Sequence, residues 1–197
     1  CSIAGVMIDD TLLAHFSDVT TQYVGPAFGG GTVSLVNPAV VNAPEVAQQD
    51  LLYGEVVGPF AASGPGLQCT KIGIDILCPR GLYYANDDGT LAEKTVDWMV
   101  EARKLTDAGG IAGSWFLLGT ESLTLAESKA IRRSYSYTVP AGRYQVRMQR
   151  TTTRDDNTRA GHDIQWLAMR AYLTTTVALD SAANYLAVKI RATSQLS

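Results

Sequence analysis

The chain has 197 residues, enough for one large domain or one domain with an extension. Its apolar fraction of 46% is that of an ordinary globular protein, and no apolar run nears the roughly 20 residues a membrane-spanning helix needs. A net charge of −3 is too weak to imply nucleic acid or a membrane surface as partner.

Residues 1–66 carry the least regular pattern. Residues 5–14 read as a hairpin turning at Asp9-Asp10. Gly29-Gly30-Gly31 marks a corner, and residues 32–36 form a short β-prone run. Pro38, Pro44, Pro59 and Pro65 then alternate with Gly54, Gly58, Gly64 and Gly66. Prolines at that density exclude a long helix and favour extended chain lying on a larger surface. The chain opens on Cys1 and lacks the basic start of a signal peptide, so it is expected to be a piece of a longer protein.

From Thr70 the pattern becomes regular. Ile72, Ile74, Ile76 and Cys78 alternate along a strand that ends at Pro79-Arg80-Gly81. Asn86-Asp87-Asp88-Gly89 is a turn, since Asp-Gly supplies the positive φ a tight turn requires. In residues 95–103, Val96, Trp98, Val100 and Ala102 share the inward face, and Asp97, Met99, Glu101 and Arg103 face out. Asp107-Ala108-Gly109-Gly110 turns the chain, and two short strands follow at 114–118 and 121–125. Arg133, Tyr135, Tyr137 and Val139 alternate along the next, which is expected to stop at Pro140-Ala141-Gly142.

Residues 143–173 read as the centre of the chain. Tyr144, Val146 and Met148 face one way; Arg143, Gln145, Arg147 and Gln149 face the other. Residues 151–162 hold no apolar side chain larger than Ala and should be a solvated loop. The return arm, 164–173, holds Trp166, Leu167, Met169 and Tyr172, which suggests a β-hairpin with an oversized tip. Residues 185–192 form the last strand. About seven strands between 70 and 173, at spacings of roughly 8 to 15 residues, indicate an all-β antiparallel sandwich with Trp98, Trp115 and Trp166 in its core.

Sites are weak throughout. Cys69 and Cys78 flank an extended strand, which separates them by roughly 30 Å and forbids a disulfide. Three unpaired thiols fit assembly in a reducing cytosol. His162-Asp163 lacks the nucleophile elbow a hydrolase triad requires, and reads as an ordinary loop pair. Asn86-Asp87-Asp88-Gly89 lacks the alternating oxygen ligands of a calcium loop. Asp155, Asp156 and Asp163 could gather a cation, but a solvated loop is the simpler expectation. Gly29-Gly30-Gly31 precedes a strand-like run, the wrong context for a phosphate loop. Arg143, Arg147 and Arg150, with Arg154 and Arg159, suggest a solvated basic face or a subunit contact. Tyr135, Tyr137 and Tyr144 are expected in the core rather than stacked on a sugar. No catalytic, cofactor-binding or metal-ligating residue is assigned.

Four stretches in order carry a resemblance. They are Ile74-Asp75-Ile76-Leu77-Cys78-Pro79-Arg80-Gly81-Leu82-Tyr83-Tyr84; Gly89-Thr90-Leu91 with Thr95-Val96-Asp97-Trp98-Met99-Val100-Glu101; Tyr144-Gln145-Val146-Arg147-Met148-Gln149-Arg150 with Gln165-Trp166; and Leu186-Ala187-Val188-Lys189-Ile190-Arg191-Ala192-Thr193. From Phe60 onward, about two thirds of the chain, the sequence resembles phage tail-tip proteins of the host-specificity protein J (TipJ) type. The resemblance implies a fibronectin III/immunoglobulin-like sandwich at 67–175. It also implies a hub-side extended segment at 1–66 and a returning strand at 176–197.

What the resemblance implies for function is a structural part of a phage or prophage tail-tip hub, concerned with assembly and host attachment and without catalysis. Its partners would be other tail proteins, two further copies of the full-length chain, and a host receptor or glycan at loops such as 151–162. The place would be the virion tail tip, after synthesis in the bacterial cytoplasm. Two other classes stand beside it. A carbohydrate-binding adhesion module predicts exposed aromatics along one sheet face or loop end. A small hydrolase predicts a cleft with a His or a carboxylate pair of raised pKa.

Overall fold

A computed structural model describes residues 5–8, 10–36, 39–175 and 182–190. In chain order its strands are β1 Met7–Ile8, β2 Thr11–Leu12, β3 Val19–Val24, β4 Val40–Asn42, β5 Gln49–Asp50, β6 Val56–Ala61, β7 Cys69–Cys78 and β8 Tyr83–Ala85. They continue with β9 Leu91–Ala92, β10 Lys94–Leu105, β11 Phe116–Leu125, β12 Ile131–Arg150, β13 Ala160–Gly161, β14 Gln165–Leu173 and β15 Tyr185–Ile190. Two short 3-10 turns, Leu13–His15 and Pro26–Phe28, are the only helical segments among the described residues.

The chain divides into two compact units, residues 40–175 and residues 1–39 with 176–197. In the larger unit β12 is the organising strand. Residues 131–142 pair with β7, and residues 143–150 pair with β10 and β6. The chain changes partner at Pro140-Ala141-Gly142, where the β7 register slips between Thr138 and Gly142. Pro140 has no N–H to give a ladder, so a register slip accommodates it where a regular central strand would not. The strand therefore continues through the point where the sequence suggests a stop.

Around β12 lie two antiparallel layers. One holds β12, β7, β14 and then β4 and β5; the other holds β11, β10, β12 and β6. Rings from the two layers meet between them. Trp98 on β10 meets Tyr135 edge-on at 5.3 Å, and Phe60 on β6 meets Trp166 on β14 at 5.5 Å. This is the all-β antiparallel sandwich that the spacing of strands indicates. Strands β4, β5 and β6, from the stretch expected to run extended, pair with β14 and β12. Pro38 lies outside the described residues.

The hairpin expected over 143–173 does not form. Strands β12 and β14 do not pair with each other; β7 stands between them, bonded to both. A period of two states which face a strand buries but not which strand lies beside it. The strands expected at 114–118 and 121–125 are one strand, β11, with a register shift opposite Val100/Glu101. Trp98 and Trp166 are fully buried, but Trp115 is not a core residue. It lies half-buried, with the guanidinium of Arg147 4.1 Å and that of Arg103 4.6 Å from its ring centre.

In the smaller unit β1 and β2 form the expected hairpin, pairing Ile8 with Thr11; Asp9 lies outside the described residues. β3 pairs antiparallel with β15 from Val19↔Ile190 to Val24↔Tyr185. Residues 32–36 are not a strand. The Gln22 side chain takes up their backbone instead, accepting from the N–H groups of Ser34 and Leu35 at 2.8 Å and donating to the Thr32 carbonyl. Residues 176–181 and 191–197 lie outside the described residues, as does Cys1.

Candidate functional site

Several of the chemistry-bearing residues that the sequence singles out, Arg150, Arg154, Asp155, His162 and Asp163 among them, lie at the end of the sandwich where β12 leaves and β14 returns. Strand β12 ends on Arg150, which is 1% exposed. Its Nε donates to the Thr152 carbonyl at 2.8 Å and its Nη1 to the His162 carbonyl at 3.0 Å. Burial pulls the Arg150 guanidinium below its usual range, opposed by Asp163.

The loop 151–162 is expected to be solvated, and its rim is. Its base is not. His162 is buried, and its Nδ1 accepts the Asp155 N–H at 2.9 Å. Its Nε2 lies 2.8 Å from the Thr95 carbonyl. A nitrogen that accepts cannot carry the proton, so the imidazole is neutral with its hydrogen on Nε2, donated to Thr95. Burial first, and Arg150 and Lys94 after it, hold His162 below its ordinary pKa; the bond to Thr95 and the Asp155 charge oppose this. Thr152 adds a second tie to β10: its Oγ1 accepts the Asp97 N–H and donates to Asp97 Oδ2 at 2.9 Å.

Downstream, β13 pairs with β8, setting Ala160 against Tyr84 and Gly161 against Tyr83. A Cβ at Gly161 would stand 2.5 Å from the Tyr83 ring, so only glycine lets the loop pass so close. Polar loop composition signals turns and solvent; it gives no sign that one histidine and one arginine anchor the base from inside.

The acids of this end are matched to the protein's own cations. Asp155 pairs with Lys94, Asp87 with Arg159 at 2.5 Å, and Asp163 with Arg80 at 2.7 Å and Arg154 at 2.8 Å. Asp155 is held below the carboxylate range by its Lys94 bond. Among the described residues no group of His, Cys, Asp and Glu gathers to hold a metal ion. Asn86-Asp87-Asp88-Gly89 is a turn: Gly89 has φ 83°, and Asp88 accepts from the Thr90 N–H and hydroxyl. His162 and Asp163 do not act on one another, since each is taken up elsewhere.

The basic row is not a solvated face. Arg143 is buried and donates to the carbonyls of Ser63 and Asp107. Arg147 bonds Glu101 at 2.7 Å beside Trp115. Of the tyrosines, Tyr137 and Tyr144 are buried, and the Tyr137 hydroxyl donates to Glu121 at 3.0 Å. Cys69 and Cys78 are free, buried thiols at the two ends of β7. No helix among the described residues is long and apolar enough to cross a membrane.

The loop end therefore presents a charged rim on a fixed base, suited to polar contact with a partner. No curated protein matches the chain in sequence. Among solved structures, the receptor-binding domain of spike protein P1 from bacteriophage PM2 is similar over 67% of this chain and 93% of its own. Its identity is 11% and its TM-score 0.34. The structure of the infectious bursal disease virus Gx strain is similar over 79% of this chain and 36% of its own, at 9% identity and a TM-score of 0.35. Likenesses at that level say nothing of function. A family model, the FNIII-A domain of tip attachment protein J, matches residues 58–175, more than half of the chain and nearly all of the sandwich. The chain belongs to the FNIII-A domain family of the phage tail attachment protein J.

Proposed function

We propose that this chain is a non-catalytic structural part of the central hub at a phage or prophage tail tip, serving tail assembly and host attachment. The observation that carries the proposal is the family match over residues 58–175. In this reading the sandwich decorates the hub, and the flanking chain, 1–39 and 176–197, belongs on the hub side. The pairing of β3 with β15 supports that reading, because chain before and after the sandwich shares one sheet. The partners are other tail proteins and two further copies of the full-length chain. The loop end at 151–162 faces a host receptor or glycan. The protein is made in the bacterial cytoplasm, where the thiols of Cys69 and Cys78 stay reduced, and acts in the virion.

Light scattering across a concentration series tests the hub contacts. A trimer mass is expected. A monomer at every concentration would overturn the claim that these residues carry subunit contacts, and would leave only a decorating sandwich.

A further inference from the structure

Beside the loop end a cleft of about 250 Å³ opens between the β4–β6 segment and the start of β14. Asp50, Leu52, Arg150, Arg154, Asp163 and Gln165 are among its walls. Arg150 contributes a buried positive charge. Two of its nitrogens are spent on backbone carbonyls, and the third, Nη2, has no partner among the described residues. A buried guanidinium nitrogen left unbonded is costly, and native proteins nearly always satisfy it.

The acids around the cleft balance its cations in number, but none of them bonds Arg150 Nη2. Arg80, Arg150 and Arg154 share one carboxylate, Asp163. Asp50 is taken up by Gln165 Nε2 at 2.8 Å, and Asp156, on the solvent side, reaches Arg154 at only 3.4 Å. Two guanidiniums line the cleft, one of them with a free donor, and a carboxylate is the group whose paired oxygens accept from such donors.

We propose that this cleft binds a carboxylate, held between Arg150 Nη2 and Arg154. Arg154, 42% exposed and paired with Asp163 in the empty cleft, shares its guanidinium with the ligand. The exposed Leu52 gives the carbon skeleton behind the carboxylate an apolar surface. The carboxylate belongs either to an acidic protein side chain or to a sugar acid. The site does not depend on hub assembly, so its failure and the failure of the hub reading are separate results.

The test uses the isotope-labelled 197-residue chain titrated with sodium acetate, against sodium chloride at equal ionic strength. The NMR signals of the Arg150 and Arg154 Nε–H groups are followed. Saturable shifts in acetate and none in chloride are expected, with affinity reduced at least tenfold in Arg154→Gln. That variant changes a half-exposed side chain and leaves the buried Arg150 in place. Equal responses to both salts, or no response, would overturn the proposal. N-acetylglutamate amide and glucuronic acid form the second arm. Binding of either one supports the site and names the source; binding of neither, with the acetate response absent, rejects it.

Discussion

Arg150 at the end of β12 donates to the carbonyl of His162, 3.0 Å away and twelve residues later, and so closes the loop between them from the inside. The same His162 fixes Asp155 and Thr95 through its ring. Removing Arg150 should loosen the loop as well as the core. Arg150→Ala leaves the buried His162 carbonyl and the part-buried Thr152 carbonyl without these donors, and a void where the side chain lay, and is expected to cost about 2–4 kcal/mol. Urea unfolding measures that loss, and amide exchange over 151–162 should quicken in the same variant. Unchanged exchange in the loop would show that Arg150 is not its anchor.

The buried neutral His162 makes stability depend on pH in one direction. Its folded pKa lies below the ordinary value near 6.5, chiefly through burial. Above about 6.5 both folded and unfolded forms are neutral and the contribution is complete. As pH falls toward the folded value, the unfolded chain takes up a proton that the folded chain does not. Stability should therefore fall as pH drops below about 6.5 toward the lowered folded pKa, by at most about 1.4 kcal/mol per pH unit. Urea midpoints at pH 7.5, 6 and 5 measure it, and His162→Asn should flatten that part of the profile.

Gly81 has φ 81°, and a Cβ there would stand 2.1 Å from the Glu127 carbonyl. The same pair of segments is joined by Leu82 and Glu127, which exchange backbone hydrogen bonds at 2.8 and 3.0 Å. Gly81→Ala must break that approach and strain the backbone, at a cost of about 2 kcal/mol or more. A fall in Tm of roughly 4–8 °C is expected for a chain of this size. A Tm within a degree of the parent would refute the close approach.

Burial pushes the thiols of Cys69 and Cys78 up to about 11. At pH 8 the thiolate is then on the order of one part in a thousand, and the sulfur is also covered. Iodoacetamide should leave both unmodified in the native protein and alkylate both in 8 M urea, read by peptide mass. Native-state alkylation of either one would place it at the surface.

Much of the sandwich is legible in the sequence because one physical rule governs it. Val96, Trp98, Val100 and Ala102 repeat at period two, and each is fully buried. The same holds for Tyr144, Val146 and Met148. Neighbours are a different matter. Nothing in the alternation of residues 143–150 says that they pair with β10 and β6 rather than with the next strand along. Sequence-adjacent strands usually pair, and here they do not. Buried polar anchors are hidden for another reason. Arg143 and Arg150 fall in a basic row, and only the three-dimensional position of Ser63, Asp107, Thr152 and His162 shows that backbone carbonyls receive them. Gln22, which takes the place of a strand partner for residues 32–36, has no sequence signal at all.

The pairing of β3 with β15 has a consequence for the order of events during synthesis. Val19 meets Ile190 only after the whole of the sandwich has left the ribosome. Every ladder partner within residues 40–175 is available earlier. The sandwich can therefore close as an insert while β3 still lacks its mate. The loop joining β3 to β15 is then spanned by a folded body rather than by loose chain, which lowers the entropy lost when the two strands finally meet. The smaller unit is completed after the sandwich, by a strand made later than any in it.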